Sequence, residues 1–141
     1  MEMNAHQRLM QPEGSSFASG NFDVKYYRCQ WEIDPSVRYI KGAVTIYFTI
    51  TTASTSITLD LMNTLITDSV KQRGIPLSFD HANNSLQVNF PASINAGVLD
   101  SVTVYYRGVP AATGFGSFIQ STHAGTPVMW SLSEAYGSRD W

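Results

Sequence analysis

The sequence predicts an all-β domain, a mostly antiparallel curved sheet or sandwich with no substantial helix, on three observations. β-branched and aromatic residues crowd every ordered run. No segment holds a 3.6-residue apolar period over two turns. Period-2 alternation returns at even spacing, punctuated by Gly, Pro, Asn and Ser, in a pattern that accommodates roughly eight to ten strands. The 141 residues are 43% hydrophobic and only 14% charged, a balance that buries a core and fits one domain.

Residues 1–21 are small and polar and read as a flexible lead-in, so the expected β domain is 22–141. In FDVKYYRCQWEID, Phe22, Val24 and Tyr26 share one phase of the alternation and Tyr27, Cys29, Trp31 and Ile33 the other. That pattern predicts a strand covered on both sides over part of its length, with Cys29 as a buried apolar residue. Asp34-Pro35-Ser36 supplies turn chemistry and sends the chain back as RYIKGAVTIYFTITT. Within it Gly42 marks a bulge or a close backbone approach.

ITLDLM is expected as a third strand, after a linker Ala53 to Ser56. Two short strands follow, Leu65 to Lys71 and Ile75 to Asp80, broken by Gln72-Arg73-Gly74. Asn83-Asn84-Ser85 turns into LQVNF, which Pro91 is expected to close, and SVTVYYRGVP is the last clear strand before the glycine-rich stretch 114–141. That stretch ends at Trp141 without a turn or polar tail and is expected to be truncated before a further domain.

Composition excludes several functions. The net charge of -2 and the lack of any Lys or Arg run offer no footprint for nucleic acid. No stretch approaches the roughly 18 apolar residues of a membrane span, and no secretory leader is visible, which leaves localisation open between cytoplasm and, after leader removal, periplasm or exterior. His6, His81 and His123 have no partner at ligand spacing and read as surface histidines, so no metal site is expected in this chain. No Ser, His and Asp set can be singled out, and no catalytic residue is assigned.

The order of FDVKYYRCQWEIDPSVRYIKGAVTIYF, LDL, SVTVYYRGVP and GFGSF followed by MWSLSEAYGSRDW resembles the N-terminal domain of zinc aminopeptidases of the aminopeptidase N family. That family includes leukotriene hydrolase and bacterial alanyl aminopeptidases. The resemblance implies a saddle of antiparallel strands that packs on a thermolysin-like catalytic domain. The family's Gly-x-Met-Glu-Asn and His-Glu-x-x-His motifs are not in this sequence. It therefore implies zinc as the cofactor of the parent enzyme only, and a downstream catalytic domain of the same chain as partner.

Within the resemblance, Ser131-Leu132-Ser133-Glu134 followed by Arg139 matches a boundary segment that reaches the family's active site. Glu134 would anchor the α-amino group of a peptide substrate, with Ser133 beside it, because a fixed carboxylate counts residues from a chain end. Leu132 departs from the family's Gln and cannot hydrogen-bond substrate. Without the resemblance, Glu134 reads as a solvated acid paired with Arg139. An apolar docking patch is expected around Phe115, Phe118, Trp130 and Trp141. The competing reading is a stand-alone β-sandwich module that binds carbohydrate or a protein partner through its aromatics.

Overall fold

Among the described residues the alternating runs become nine strands and one 3-10 helix: β1 (Phe22–Ile33), β2 (Ile40–Ile50), β3 (Ser54–Asp60), β4 (Leu65–Gln72), β5 (Ile75–Ala82), β6 (Ser85–Ile94), β7 (Leu99–Gly108), β8 (Phe118–His123), β9 (Thr126–Ser131) and the helix Glu134–Asp140. The structure, a computed structural model, describes residues 18–112 and 116–141, without the side chains of 134–136. Seven strands form one sheet in the order β1-β2-β7-β4-β5-β6-β3, and β8 and β9 form a separate hairpin. The large sheet is antiparallel and curls into a half-barrel, the all-β architecture the sequence predicts. Its inner face carries the core: Ile40, Ile46, Phe48 and Ile50 from β2, Val102, Val104 and Tyr106 from β7, and Leu86 and Val88 from β6.

Tight turns close the meander where the sequence supplies residues that accept a left-handed backbone. Arg73 and Gly74 (φ 49° and 82°) join β4 to β5, and Asn83 and Asn84 (φ 54° and 61°) join β5 to β6. Two consecutive positive φ values match the right-handed twist of the flanking strands. The first turn is pinned by the buried Asp100, which accepts hydrogen bonds from Gln72 Nε2 and Arg73 Nη2, each at 2.9 Å.

β1 corrects the two-sided expectation. Val24 opposes Phe48 and Tyr26 opposes Tyr47, so Lys25 is an extra residue, a bulge. The bulge resets the phase. Tyr27, Cys29 and Trp31 then oppose Ile46, Val44 and Gly42, and they share the inner face with Phe22 and Val24. All of β1 beyond Val24 is exposed, and Cys29 is exposed with it instead of buried.

Three smaller expectations also shift. β3 begins at Ser54, inside the segment expected as linker. β6 runs through Pro91 to Ile94, because β3 jumps from Ser56 opposite Asn89 to Ser54 opposite Ile94 and leaves Pro91 facing no ladder donor site. His81 lies in β5: Thr67 Oγ1 is 3.1 Å from its Nδ1 and the Leu61 carbonyl oxygen 3.0 Å from its Nε2. It is a half-buried strut between strands, not a surface histidine.

Gly42 is explained by close approach. A Cβ there would sit 2.1 Å from Cδ1 of Trp31 and 2.7 Å from the Gln30 carbonyl oxygen. The Trp31 indole can occupy this place beside β2 only because Gly42 has no side chain.

Candidate functional site: the seam and the C-terminal hook

The two edges of the curled sheet, β1 and β3, border a seam that is tied at one end by the residues leading into β1. Ser19 donates its N–H to the Thr58 carbonyl at 3.0 Å, Thr58 returns one to Ser19 Oγ at 2.9 Å, and Asn21 Nδ2 bonds the Ser56 carbonyl at 2.8 Å. Above these bonds lies a trough of about 630 Å³, whose walls include Tyr27, Cys29, Asp60, Tyr106, Ser133 and Arg139.

The far end of the trough is spanned by the last residues, which form a hook. The Arg139 carbonyl accepts the Met62 N–H at 3.0 Å, just past β3. The Trp141 ring packs edge-on against Trp31 of β1, with centroids 5.3 Å apart. Tyr106 joins the two: its hydroxyl accepts the Trp31 indole N–H at 2.8 Å and donates to the Trp141 carbonyl. Burial pushes the Tyr106 pKa up to about 12, against a smaller lowering by the Trp31 N–H, so the phenol stays a donor at neutral pH. Asp140 is fully buried, accepts from Ser117 Oγ, and offers its carbonyl to Ala111 N–H at 3.2 Å.

The other end of the hook rests on the β8–β9 hairpin. Leu132 N–H donates to the Ser117 carbonyl at 2.8 Å, and a Cβ on Gly137 would stand 2.6 Å from the Leu132 carbonyl oxygen, so the 3-10 helix lies flush on Leu132. The hairpin itself is held to the β1–β2 turn: Arg38 Nη2 donates to the Pro110 and Phe118 carbonyls at 3.0 and 3.2 Å, and Arg38 Cζ sits 5.6 Å from the centroid of the Phe118 ring. Gln120 Nε2 bonds the Pro35 carbonyl at 2.9 Å.

Against this geometry the residues singled out from the sequence fall as follows. Leu132 and Ser133 are exposed, and Ser133 precedes the 3-10 helix and lines the trough. Glu134 opens that helix, and its side chain lies outside the described residues. His6 and Phe115 also lie outside them. Of the expected apolar patch, Trp130 is exposed, but Phe118 is core at 6% exposure and Trp141 packs against the core. Phe118 is buried because Arg38 and the hairpin cover it.

Cys29 lines the trough, and partial desolvation there pushes its thiol pKa up, the opposite of an activated nucleophile. Among the described residues no group of three or more His, Cys, Asp or Glu is placed to hold a metal ion, and no helix is long and apolar enough to cross a membrane. The cluster that sequence reasoning missed is Trp31, Tyr106, Trp141, Ser117 and Asp140. One signal was available: Gly42 stands opposite Trp31 across the Asp34-Pro35 turn, and a strand glycine facing an aromatic marks a ring laid over the backbone.

The fold recurs in solved structures. A two-domain M1 zinc metallopeptidase variant bound to L-arginine superposes with a TM-score of 0.76 at 21% identity over 88% of this chain and 29% of its own. An M1 zinc metallopeptidase variant from Deinococcus radiodurans, bound to a Tyr-Ser-Ala substrate, gives 0.72 at 22% identity over 86% of this chain and 28% of its own. Yeast LTA4 hydrolase gives 0.72 at 18% identity over 99% of this chain and 24% of its own. No protein-family model and no curated protein sequence matches the chain.

The class defined is thus a β domain with a fold found in M1 zinc metallopeptidases. This is consistent with the N-terminal domain that the sequence resembles. The chain spans less than a third of the length of these structures.

Proposed function

We propose that this chain is the non-catalytic N-terminal domain of a zinc aminopeptidase, residues 22–141 forming the domain and 1–21 a lead-in. It packs on a catalytic domain of the same polypeptide. The observation that carries this reading is the superposition over most of the chain, together with the hook that ends in the Ser-Leu-Ser-Glu segment the sequence singles out. In this reading zinc is bound by the catalytic domain, as the resemblance implies, where it would supply an activated water for peptide hydrolysis. This chain contributes the substrate's end stop.

The chemistry assigned to Glu134 is a charge-assisted hydrogen bond to the α-ammonium of a peptide, with Ser133 beside it and Leu132 offering an apolar surface where a polar side chain would bond substrate. The metallopeptidase that holds a Tyr-Ser-Ala substrate supports a peptide as the ligand class. The test is Glu134→Ala in the full polypeptide. We expect kcat/KM for aminoacyl anilides to fall about 10- to 100-fold, the loss of a hydrogen bond to a charged group. An unchanged kcat/KM removes the anchor role, and a full polypeptide without aminopeptidase activity removes the reading. Binding of the chain to a glycan panel would favour the carbohydrate-module reading instead.

A further inference from the structure

We infer that Tyr106 and Trp31 are positioning residues, which through Trp141 fix the 3-10 helix and thereby the Leu132–Glu134 segment at its start. This inference rests on the aminopeptidase reading above and adds residues to it that lie in the sheet, remote in sequence from the anchor.

The geometry makes one continuous path. Gly42 leaves room for the Trp31 indole, whose Cδ1 and Nε1 would stand only 2.1 and 2.9 Å from a Cβ there. The indole N–H then fixes the Tyr106 hydroxyl from below, at 2.8 Å, and leaves its proton to the Trp141 carbonyl. Trp141 is held from the side by the Trp31 ring. The helix between Trp141 and Ser133 is seven residues of 3-10 geometry, Glu134–Asp140, seated on Leu132 through Gly137. A 3-10 helix rises about 2 Å per residue, so these seven residues set the spacing between Trp141 and the anchor end, and a shift at one end moves the other. An anchor displaced by about 1 Å can cost up to about a hundredfold in turnover efficiency.

Tyr106→Phe tests this in the full polypeptide, because it keeps the ring and removes both hydrogen bonds. We expect KM for an aminoacyl anilide to rise about tenfold with kcat changed by less than about threefold. Inhibition by a zinc-binding hydroxamate that lacks an α-amino group should stay as in wild type, and Glu134→Ala combined with Tyr106→Phe should be no worse than Glu134→Ala alone. Trp31→Phe, which removes the N–H donor, should reproduce the effect and reads the same path if Tyr106→Phe fails to fold. Wild-type KM in both variants overturns the positioning role, and so does an equal loss of hydroxamate affinity, which would mark a general structural defect. Loss in Glu134→Ala without loss in the sheet variants overturns this inference alone. An unaffected Glu134→Ala overturns the anchor reading and this inference with it.

Discussion

Tyr106 shows how a single residue converts burial into a directed contact. Its ring belongs to the core at 4% exposure, while its hydroxyl is placed where one indole donor and one carbonyl acceptor meet. A buried hydroxyl with both roles filled avoids the desolvation cost of an unmade bond, about 1–3 kcal/mol. The same burial gives a pH signature. The phenol's pKa rises from 10.0 to about 12 on folding, so its contribution is complete below the unfolded value and is lost as pH climbs through the folded one. Tyr27, about half exposed in the trough wall and raised by partial desolvation first and then by the charges of Cys29 and Asp60, acts with the same sign. The unfolding free energy from urea titrations should therefore fall between about pH 10 and 12, by an amount on the order of 2 kcal/mol, and fall less in Tyr106→Phe. Equal alkaline losses in both proteins would assign the effect to other groups.

At the scale of the element, β1 decides how far sequence and structure agree. Alternation was enough to find β2 and β7, because Ile46, Phe48 and Ile50 and Val102 and Val104 keep one phase from end to end. It misassigned the faces of β1, since a bulge adds one residue and period 2 cannot say where the phase breaks. β6 was cut short for a related reason: Pro91 stops a strand only where a partner needs its N–H, and here the partner strand steps aside. The candidate segment 131–134 was legible only through resemblance, as nothing in its own pattern distinguishes it from a surface turn. Its supports were not legible, because Trp31, Tyr106 and Trp141 are joined only by the curl of the sheet. Deleting Lys25 tests the role of the bulge. With the extra residue gone, Val24, Tyr26 and Tyr27 alternate regularly opposite Phe48, Tyr47 and Ile46, so Phe22 and Val24 keep the face of Tyr27 and Trp31 and denaturant unfolding should show a loss of less than about 1 kcal/mol. Lys25→Ala keeps the residue count and should change stability by less than about 0.5 kcal/mol. A loss of about 3 kcal/mol or more in the deletion alone, the burial of Phe22 and Val24, would mean that the faces had changed and that Lys25 is not the extra residue.

Across the whole molecule, the sheet does not close on itself, and the hook takes the place of the missing strand pairing. Arg139 holds the exit of β3 and Trp141 holds β1, so one short segment ties both free edges. Removing residues 133–141 should leave the strands in place by circular dichroism but raise dye binding to the uncovered trough severalfold, with self-association visible in sedimentation. Unchanged dye binding would show that the hook covers nothing of consequence. The strand order also sets a timetable for synthesis. β2 leaves the ribosome beside β1, but its other neighbour, β7, arrives only after four intervening strands, and the hook comes last of all. Until then the first hairpin waits with Ile46, Phe48 and Ile50 uncovered, so a nascent chain of this domain is a natural client for chaperones that hold apolar strands while translation catches up.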